Sequence, residues 1–355
     1  MTAPTQEAID AFTDRFVDAM NDAALISMAS IGHRTGLFDA MGDSVARTSV
    51  ELADRAGLNE RYVREWLNAM TVAGVVHHED GSYRLPEAHA ACLTRAATPN
   101  NLAVFAQYLP LGGAVEDDVV RCFREGGGVP YERFGRFHEV MAEDSGQTVL
   151  PALFDHILPL VPGLTERLAA GIDVLDLGCG RGRALLLLAE RFPASRFSGY
   201  DLSTEATTWG REEAEARGLR NLSFEARDLA TFDVDATPGA FDLVTTFDAV
   251  HDQPRPMALL RGIKRTLRPV GVYLMQDIAG SSHVDGNRDH PMGTFLYAIS
   301  TFHCMTVSLA QGGDGLGTLW GEELAAEMLR EAGFSSIETH HLEHDPQNAY
   351  TVARP

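Results

Sequence analysis

Residues able to do chemistry crowd into one stretch of this 355-residue chain. Asp173-Val-Leu-Asp-Leu-Gly-Cys-Gly-Arg-Gly-Arg183 carries an apolar run into a turn with glycine at 178, 180 and 182. Glycine accepts positive φ and lets a ligand approach the backbone without meeting a Cβ. A helix opening after such a turn offers unpaired N–H groups and a positive dipole end to an anionic or carboxylate-bearing group. Asp176, Gly178, Cys179, Gly180 and Gly182 are therefore the first candidates for holding a cofactor, although such turns also serve NAD, FAD and structural corners. Cys179 reads as a small wall residue rather than a catalytic thiol. Asp201 with Leu202, Asp228 with Leu229, and Phe247 with Asp248 each close a later apolar run. Any one of these acids reads equally as a helix cap or a solvated loop; several in order point to one ligand-binding edge. Val250-His251-Asp252 follows at once. Histidine titrates near neutrality and is the usual general base, so His251 is the base candidate. The competing reading has it capping the next helix or packing on the cofactor.

A second polar group comes later: Asp277, His283, Asp289, His290 and His303. With His251 they could line one pocket, Asp277 and His303 as helpers, His283 and His290 on the substrate side. Imidazole and carboxylate also suit zinc, iron or manganese, but the spacing matches no metal motif and no metal is expected.

To gather these residues the chain must alternate strands and helices around one sheet. Segments 172–177, 196–200, 222–226, 241–247 and 270–276 read as strands, and 184–191 and 294–309 as helices. Gly321 precedes a helical stretch over 322–332, Gly333-Phe334 stops it, and 336–340 and 349–352 read as two last strands. The result is an α/β, doubly wound sheet with ligand-binding residues at its strand ends.

The first part of the chain is different. An apolar-rich helical stretch over 23–41 ends at Gly42; Ser49 to Gly57 and Asn59 to Ala73 read as two capped helices, and 74–85 as a hairpin turning at Asp80-Gly81. Three helices and a hairpin make a winged helix-turn-helix pattern. The third helix mixes Glu60, Arg61, Arg64 and Glu65, so it has no basic face, and the net charge is −21. Nucleic-acid affinity comes largely from neutralised phosphates, so pairing of two subunits is expected here rather than DNA binding. The expected domains are 1–93 for pairing, 94–152 as a helical linker or lid, and 153–355 for the cofactor. Gly126-Gly127-Gly128-Val-Pro130 breaks the linker, and the stretch from Tyr131 supplies aromatics, His138 and Met141, either as substrate wall or as core. Four scattered cysteines predict a reducing cytoplasm without disulfides. No apolar run is long enough to span a bilayer, and Met-Thr-Ala-Pro-Thr-Gln-Glu lacks the basic-then-apolar pattern of a signal peptide.

Asp176-Leu-Gly-Cys-Gly-Arg-Gly182 resembles motif I of the class I S-adenosylmethionine-dependent methyltransferases. In that resemblance Asp201 matches the ribose-binding acid and Asp228 the acid that reads the adenine amino group. The C-terminal segments resemble the closing antiparallel hairpin of that family's sheet, which implies a seven-stranded Rossmann-like methyltransferase fold behind an α-helical winged-helix domain. The first domain is similar to that of dimeric small-molecule O-methyltransferases, which use it to pair subunits. His251-Asp252 is similar to the His-Asp pair of the plant-type enzymes, where the histidine is the base; Gln253-Pro254 follows here where that family often has tryptophan. Asp277 stands where relatives carry a residue orienting the base. The resemblance implies S-adenosyl-L-methionine as cofactor, a homodimer, and methyl transfer to a small molecule, at oxygen first and at sulfur or nitrogen otherwise. A cofactor-responsive transcription regulator and a non-methyl enzyme using the same cofactor are the alternatives.

Overall fold

The computed structural model describes residues 4–355; Met1 to Ala3 of the polar leading segment lie outside the described residues. The chain forms two compact units, one up to Leu111 and one from Gly112 to Pro355.

In the first unit one long helix, Gln6–Thr35, replaces the expected 23–41 stretch. Thr5 caps its start, and Gly36 ends it in the left-handed region at φ 74. Its first half extends the expected stretch toward the N-terminus and buries nothing within the unit: Ile9, Phe12, Phe16 and Met20 are all exposed. Ser49–Ala56 starts with a full capping box of Thr48 and Glu51, and Glu60–Val72 is capped by Asn59. Trp66 anchors the core, its ring edge-on to Phe38 at 5.2 Å and its Nε1 donating to Met28 O at 2.8 Å. Strands β1 (His77–Glu79) and β2 (Ser82–Arg84) form the wing.

The second unit is built on seven strands: β3 (Asp173–Leu177), β4 (Arg196–Asp201), β5 (Leu222–Ala226), β6 (Phe241–Phe247), β7 (Leu267–Ile278), β8 (Ser336–Leu342) and β9 (Asp345–Arg354). Their order is β5-β4-β3-β6-β7-β9-β8. The first five are parallel, and β9 runs antiparallel between β7 and β8. Parallel strands are covered on both faces, which requires nearly continuous apolar runs such as Val174, Leu175 and Leu177, all buried. Leu185, Leu186 and Leu188 of the helix Arg183–Arg191 lie in the core of one face; Leu259, Leu260 and Ile263 lie in the core of the other. Strand order reverses at β3, between β4 and β6, which opens a crevice at the carboxyl ends of these strands.

Three elements differ from the sequence-based expectation. β7 spans 12 residues and β9 spans 10, both longer than read, because backbone pairing extends them: Leu267 pairs with Phe241 of β6, Asp277 and Ile278 pair with β9, and Asp345 and Arg354 at the ends of β9 pair with β8. The expected helix over 294–309 breaks into Gly293–Ile299 and Met305–Ala310 around a π-helical turn, Ser300–Cys304. Such turns often occur at functional sites, and this one carries His303. No single helix among the described residues is long and apolar enough to cross a membrane.

Candidate active site

The turn after β3 places its three glycines at φ 67, 51 and 65. Gly178 and Cys179 donate their N–H groups to Tyr200 O at 2.8 and 3.2 Å, folding the turn against the end of β4. Asp201 locks it there: Oδ2 accepts from Gly180 N at 2.7 Å and Oδ1 from Ser203 N at 2.8 Å. The glycines divide their work. A Cβ on Gly178 would meet Ala249 Cβ at 2.5 Å, and one on Gly182 would meet Phe224 Cε1 at 2.1 Å. A Cβ on Gly180 would meet nothing within 4 Å. Two glycines are thus required by packing, and the middle one leaves open space in front of the backbone.

That space is a cleft walled by His138, Met141, Asp176, Gly180, Arg183 and Phe247 among others. Asp176 is 3% exposed and accepts from Thr245 Oγ1 at 2.8 Å. Burial pushes its carboxyl up to about 7, against the Thr245 hydrogen bond. Burial also pushes the Cys179 thiol well above its usual range, which leaves it an unreactive wall residue. His138 stacks on Tyr131 at 5.3 Å, and burial lowers its pKa. Asp228 is exposed and closes its own turn, accepting from Ala230 N at 2.8 Å. Leu229 is buried in the core and Leu202 is half exposed.

His251 lies just past β6, after Asp248, which adopts a left-handed φ of 50. It is 4% exposed, and its Nδ1 lies 2.6 Å from Asp277 Oδ1. The same oxygen accepts from Ile278 N at 2.9 Å and from Trp320 Nε1 at 3.1 Å. A carboxylate facing Nδ1 makes that nitrogen the donor and leaves Nε2 as the acceptor. Burial alone would lower the imidazole pKa; the charge of Asp277, joined by Cys304, outweighs it and holds His251 well above the ordinary histidine range. Burial raises the neighbouring acids too, Asp248 to about 8 and Asp252 to about 7. Donor atoms of Asp248, His251 and Asp277 lie within 4.8 Å of one another, which is a cation-capable grouping. Asp277 Oδ1 accepts from three protein donors, while Asp277 Oδ2 and Asp248 Oδ1 are buried without a hydrogen-bond partner.

His303 was expected beside His251 as a helper. It is buried face to face on Phe137, with centroids 3.5 Å apart, and Phe134 and Tyr131 stand edge-on to it. Neither ring nitrogen has a hydrogen-bond partner, and burial keeps its pKa well below the usual value. It is a neutral member of an aromatic wall. The structure does not bring His283 or His290 to the cleft: His283 is exposed, and His290 Nδ1 accepts from Met292 N at 3.1 Å within its own turn. Trp320 escaped the sequence reading because it lies 43 residues beyond Asp277 with no local signal. Arg183 escaped although it stands in the quoted motif; its charge at the start of a helix beside the turn was the available signal.

A model described as Rv2258c-like winged HTH domain matches residues 23–95, and one described as Methyltransferase domain matches residues 168–333. A fatty-acid O-methyltransferase of Mycolicibacterium smegmatis is 32% identical over 30% of this chain and 37% of its own length. A trans-aconitate 2-methyltransferase of Deinococcus radiodurans is 34% identical over 36% of this chain and 43% of its own. The chain thus spans about two fifths of the curated relatives it matches. Human N-acetylserotonin methyltransferase, solved with S-adenosylmethionine, superposes with a TM-score of 0.69 at 17% identity, covering 100% of this chain and 99% of that one. Mitomycin 7-O-methyltransferase gives 0.70 at 17%, covering 99% and 100%. The chain therefore carries a match to a winged helix-turn-helix domain in its first unit and to a methyltransferase domain in its second, and it shares the overall fold of these solved methyltransferases.

Proposed function

We propose that this chain transfers a methyl group from S-adenosylmethionine to an oxygen of a small molecule, with His251 as general base. The observation that carries the reading is the buried His251–Asp277 pair at the ends of β6 and β7, with the open glycine turn at the end of the adjoining strand β3. The residues present suit the cofactor. Gly180 leaves the backbone open, Asp201 stands at the strand end suited to ribose hydroxyls, Asp228 and Leu229 close the next strand where adenine would lie, and Asp176 and Phe247 line the cleft beyond. When bound, S-adenosylmethionine supplies an electrophilic methyl group on a sulfonium sulfur. His251 Nε2 takes the proton from the acceptor hydroxyl. Asp277 holds the other ring nitrogen and stabilises the imidazolium that results. Burial of both keeps water from competing for the same nitrogen. A methyl-transfer assay over a panel of phenols, aliphatic alcohols, carboxylic acids, thiols and amines tests the reading; absence of transfer to every oxygen acceptor would overturn it.

Asp201→Ala removes a charged acceptor and releases Gly180. S-adenosylhomocysteine affinity should fall about 10- to 100-fold, the worth of one or two charge-assisted hydrogen bonds. Calorimetry that finds unchanged affinity would strip Asp201 of its role.

The second reading, a DNA-binding regulator, gains nothing from the first unit. Arg61 and Arg64 of the helix Glu60–Val72 pair with Glu65 and Glu60, so the helix presents little free positive charge. The occupant that fits is a second copy of the chain. Ile9, Phe12, Phe16 and Met20 repeat at helical spacing along Gln6–Thr35 and are 44–64% exposed, a stripe that a partner subunit would cover. The doubly substituted Phe12→Asp/Phe16→Asp chain is expected to be a monomer in light scattering at low micromolar concentration, where the wild type is a dimer; a monomeric wild type would defeat the proposal. The four free cysteines suit a reducing compartment, and a cytoplasmic location is part of the same reading.

A further inference from the structure

The surroundings of His251 carry an excess of negative charge. Asp277 faces its Nδ1, Asp248 at the end of β6 belongs to the same grouping of donor atoms within 4.8 Å, and Asp252 is the next residue in the chain. Asp144, buried in the helix Phe137–Ser145, adds its charge at Asp248. Among the described residues no arginine or lysine pairs with Asp248, Asp252 or Asp277; their ion pair is with His251. Asp248 Oδ1 and Asp277 Oδ2 are covered and unpartnered. So are both amide atoms of Gln276, a 0% exposed side chain that lies against the Asp248 carboxyl. Buried polar groups are normally paired, and buried carboxyl groups without a counter-ion hold their protons. Asp248 at about 8 and Asp252 at about 7 are in that state. On another side the surroundings are aromatic. Tyr131, Phe134 and Phe137 surround His303, and Cys304, the next residue, acts directly on His251. His303 feels the His251 charge and keeps two ring nitrogens without a partner. Acids and aromatic wall therefore meet at the base.

We propose that the acceptor is an aromatic hydroxyl compound with an ammonium group on a short side chain, the ammonium drawn in by Asp248 and Asp252 and the ring placed on the Tyr131, Phe134 and Phe137 side. The inference rests on the reading of His251 as the base for methyl transfer to oxygen, and it narrows the acceptor within that reading. Clefts lined by one sign of charge concentrate ligands of the opposite sign. A carboxylate-bearing acceptor meets like charge instead, and burial makes that repulsion larger than it would be in water. The attraction acts across the pocket, so the ammonium needs no direct contact with the covered oxygens. Aromatic side chains suit a planar ring and also favour a nearby cation.

The test reads kcat/KM for three phenols that differ at the end of one side chain: tyramine, 4-propylphenol and 3-(4-hydroxyphenyl)propionate, which are cationic, neutral and anionic. The wild type should prefer tyramine to 4-propylphenol by about tenfold, and 4-propylphenol to the propionate by a similar factor, as expected for one charge interaction across a partly buried pocket. Asp248→Asn and Asp252→Asn should each shrink the span between tyramine and the propionate. The ratio is what is read, so a general loss of rate cancels, and calorimetry with S-adenosylhomocysteine shows whether each variant is folded. If neither variant folds, the wild-type order decides. A wild type that treats the three alike or favours the propionate would overturn the proposal. An unchanged ratio in both folded variants, or a methyl group that mass spectrometry finds on the tyramine nitrogen, would do the same. Transfer to none of the three while another oxygen acceptor is methylated would overturn this inference alone. Absence of transfer to every oxygen acceptor would overturn the functional reading and this inference with it.

Discussion

His251→Ala lowers kcat about 10²–10⁴-fold and leaves S-adenosylhomocysteine affinity unchanged, because the lost group acts on the acceptor and not on the cofactor. The pH profile carries the mechanism. A base accepts a proton only when neutral, and Asp277 holds the His251 imidazolium well above the ordinary histidine range. Wild-type rate should therefore rise with pH along a limb lying above about 6.5, the unperturbed histidine value. Asp277→Asn removes the charge that raises His251, so the limb moves to lower pH; it also frees the ring to take the other tautomer, so the plateau falls. In His251→Ala the limb disappears. The loss should be smaller on an acidic phenol such as nitrophenol, which ionises without help, than on an aliphatic alcohol. A mutant that keeps full rate on an alcohol removes His251 from catalysis and leaves the pair a structural one.

The second large effect separates packing from binding at neighbouring glycines. Gly182→Ala forces a Cβ to 2.1 Å from Phe224 at a φ of 65. Left-handed strain costs about 1–2 kcal/mol, and overpacking costs about 1–3 more. A stability loss of about 2–5 kcal/mol is expected, with the Arg183–Arg191 helix displaced, a melting temperature several degrees lower and weakened binding. Gly180→Ala meets the same backbone strain at φ 51 and no clash. It should lose only the strain part, about 1–2 kcal/mol, and melt above Gly182→Ala, yet its methyl group stands where the ligand must approach, and affinity should fall by about tenfold or more, a change of about 1.4 kcal/mol. Melting curves and calorimetry on the two variants check the contrast. A Gly182→Ala chain that melts and binds like the wild type would show that Phe224 yields easily and that the wedge is not rigid.

Much of this protein is written locally. The glycine spacing after β3, the capping box of Thr48 and Glu51, the Asn59 cap and the apolar strand runs are set by backbone preferences within a few residues, so they are legible without a fold. The position of His251 past β6 is local too, since the strand end carries it. Its partner is not. Asp277 meets His251 because β7 pairs beside β6 with Phe247 opposite Gln276, a register made by a crossover of some twenty residues. Trp320 reaches the same carboxylate from further along the chain, and Phe224 reaches Gly182 from β5, two strands away from β3. His303 carried the same promise in sequence as His251, yet the π turn sets it flat against Phe137 with no polar partner. The first half of Gln6–Thr35 carries Ile9, Phe12, Phe16 and Met20 at helical spacing, a local signal for a helix; only the fold shows that this apolar face has no counterpart within its own unit. Residue types and short spacings determine which chemistry is available. Strand order, register and the crossovers between them decide which of those residues meet, because those distances depend on contacts between segments far apart in the chain.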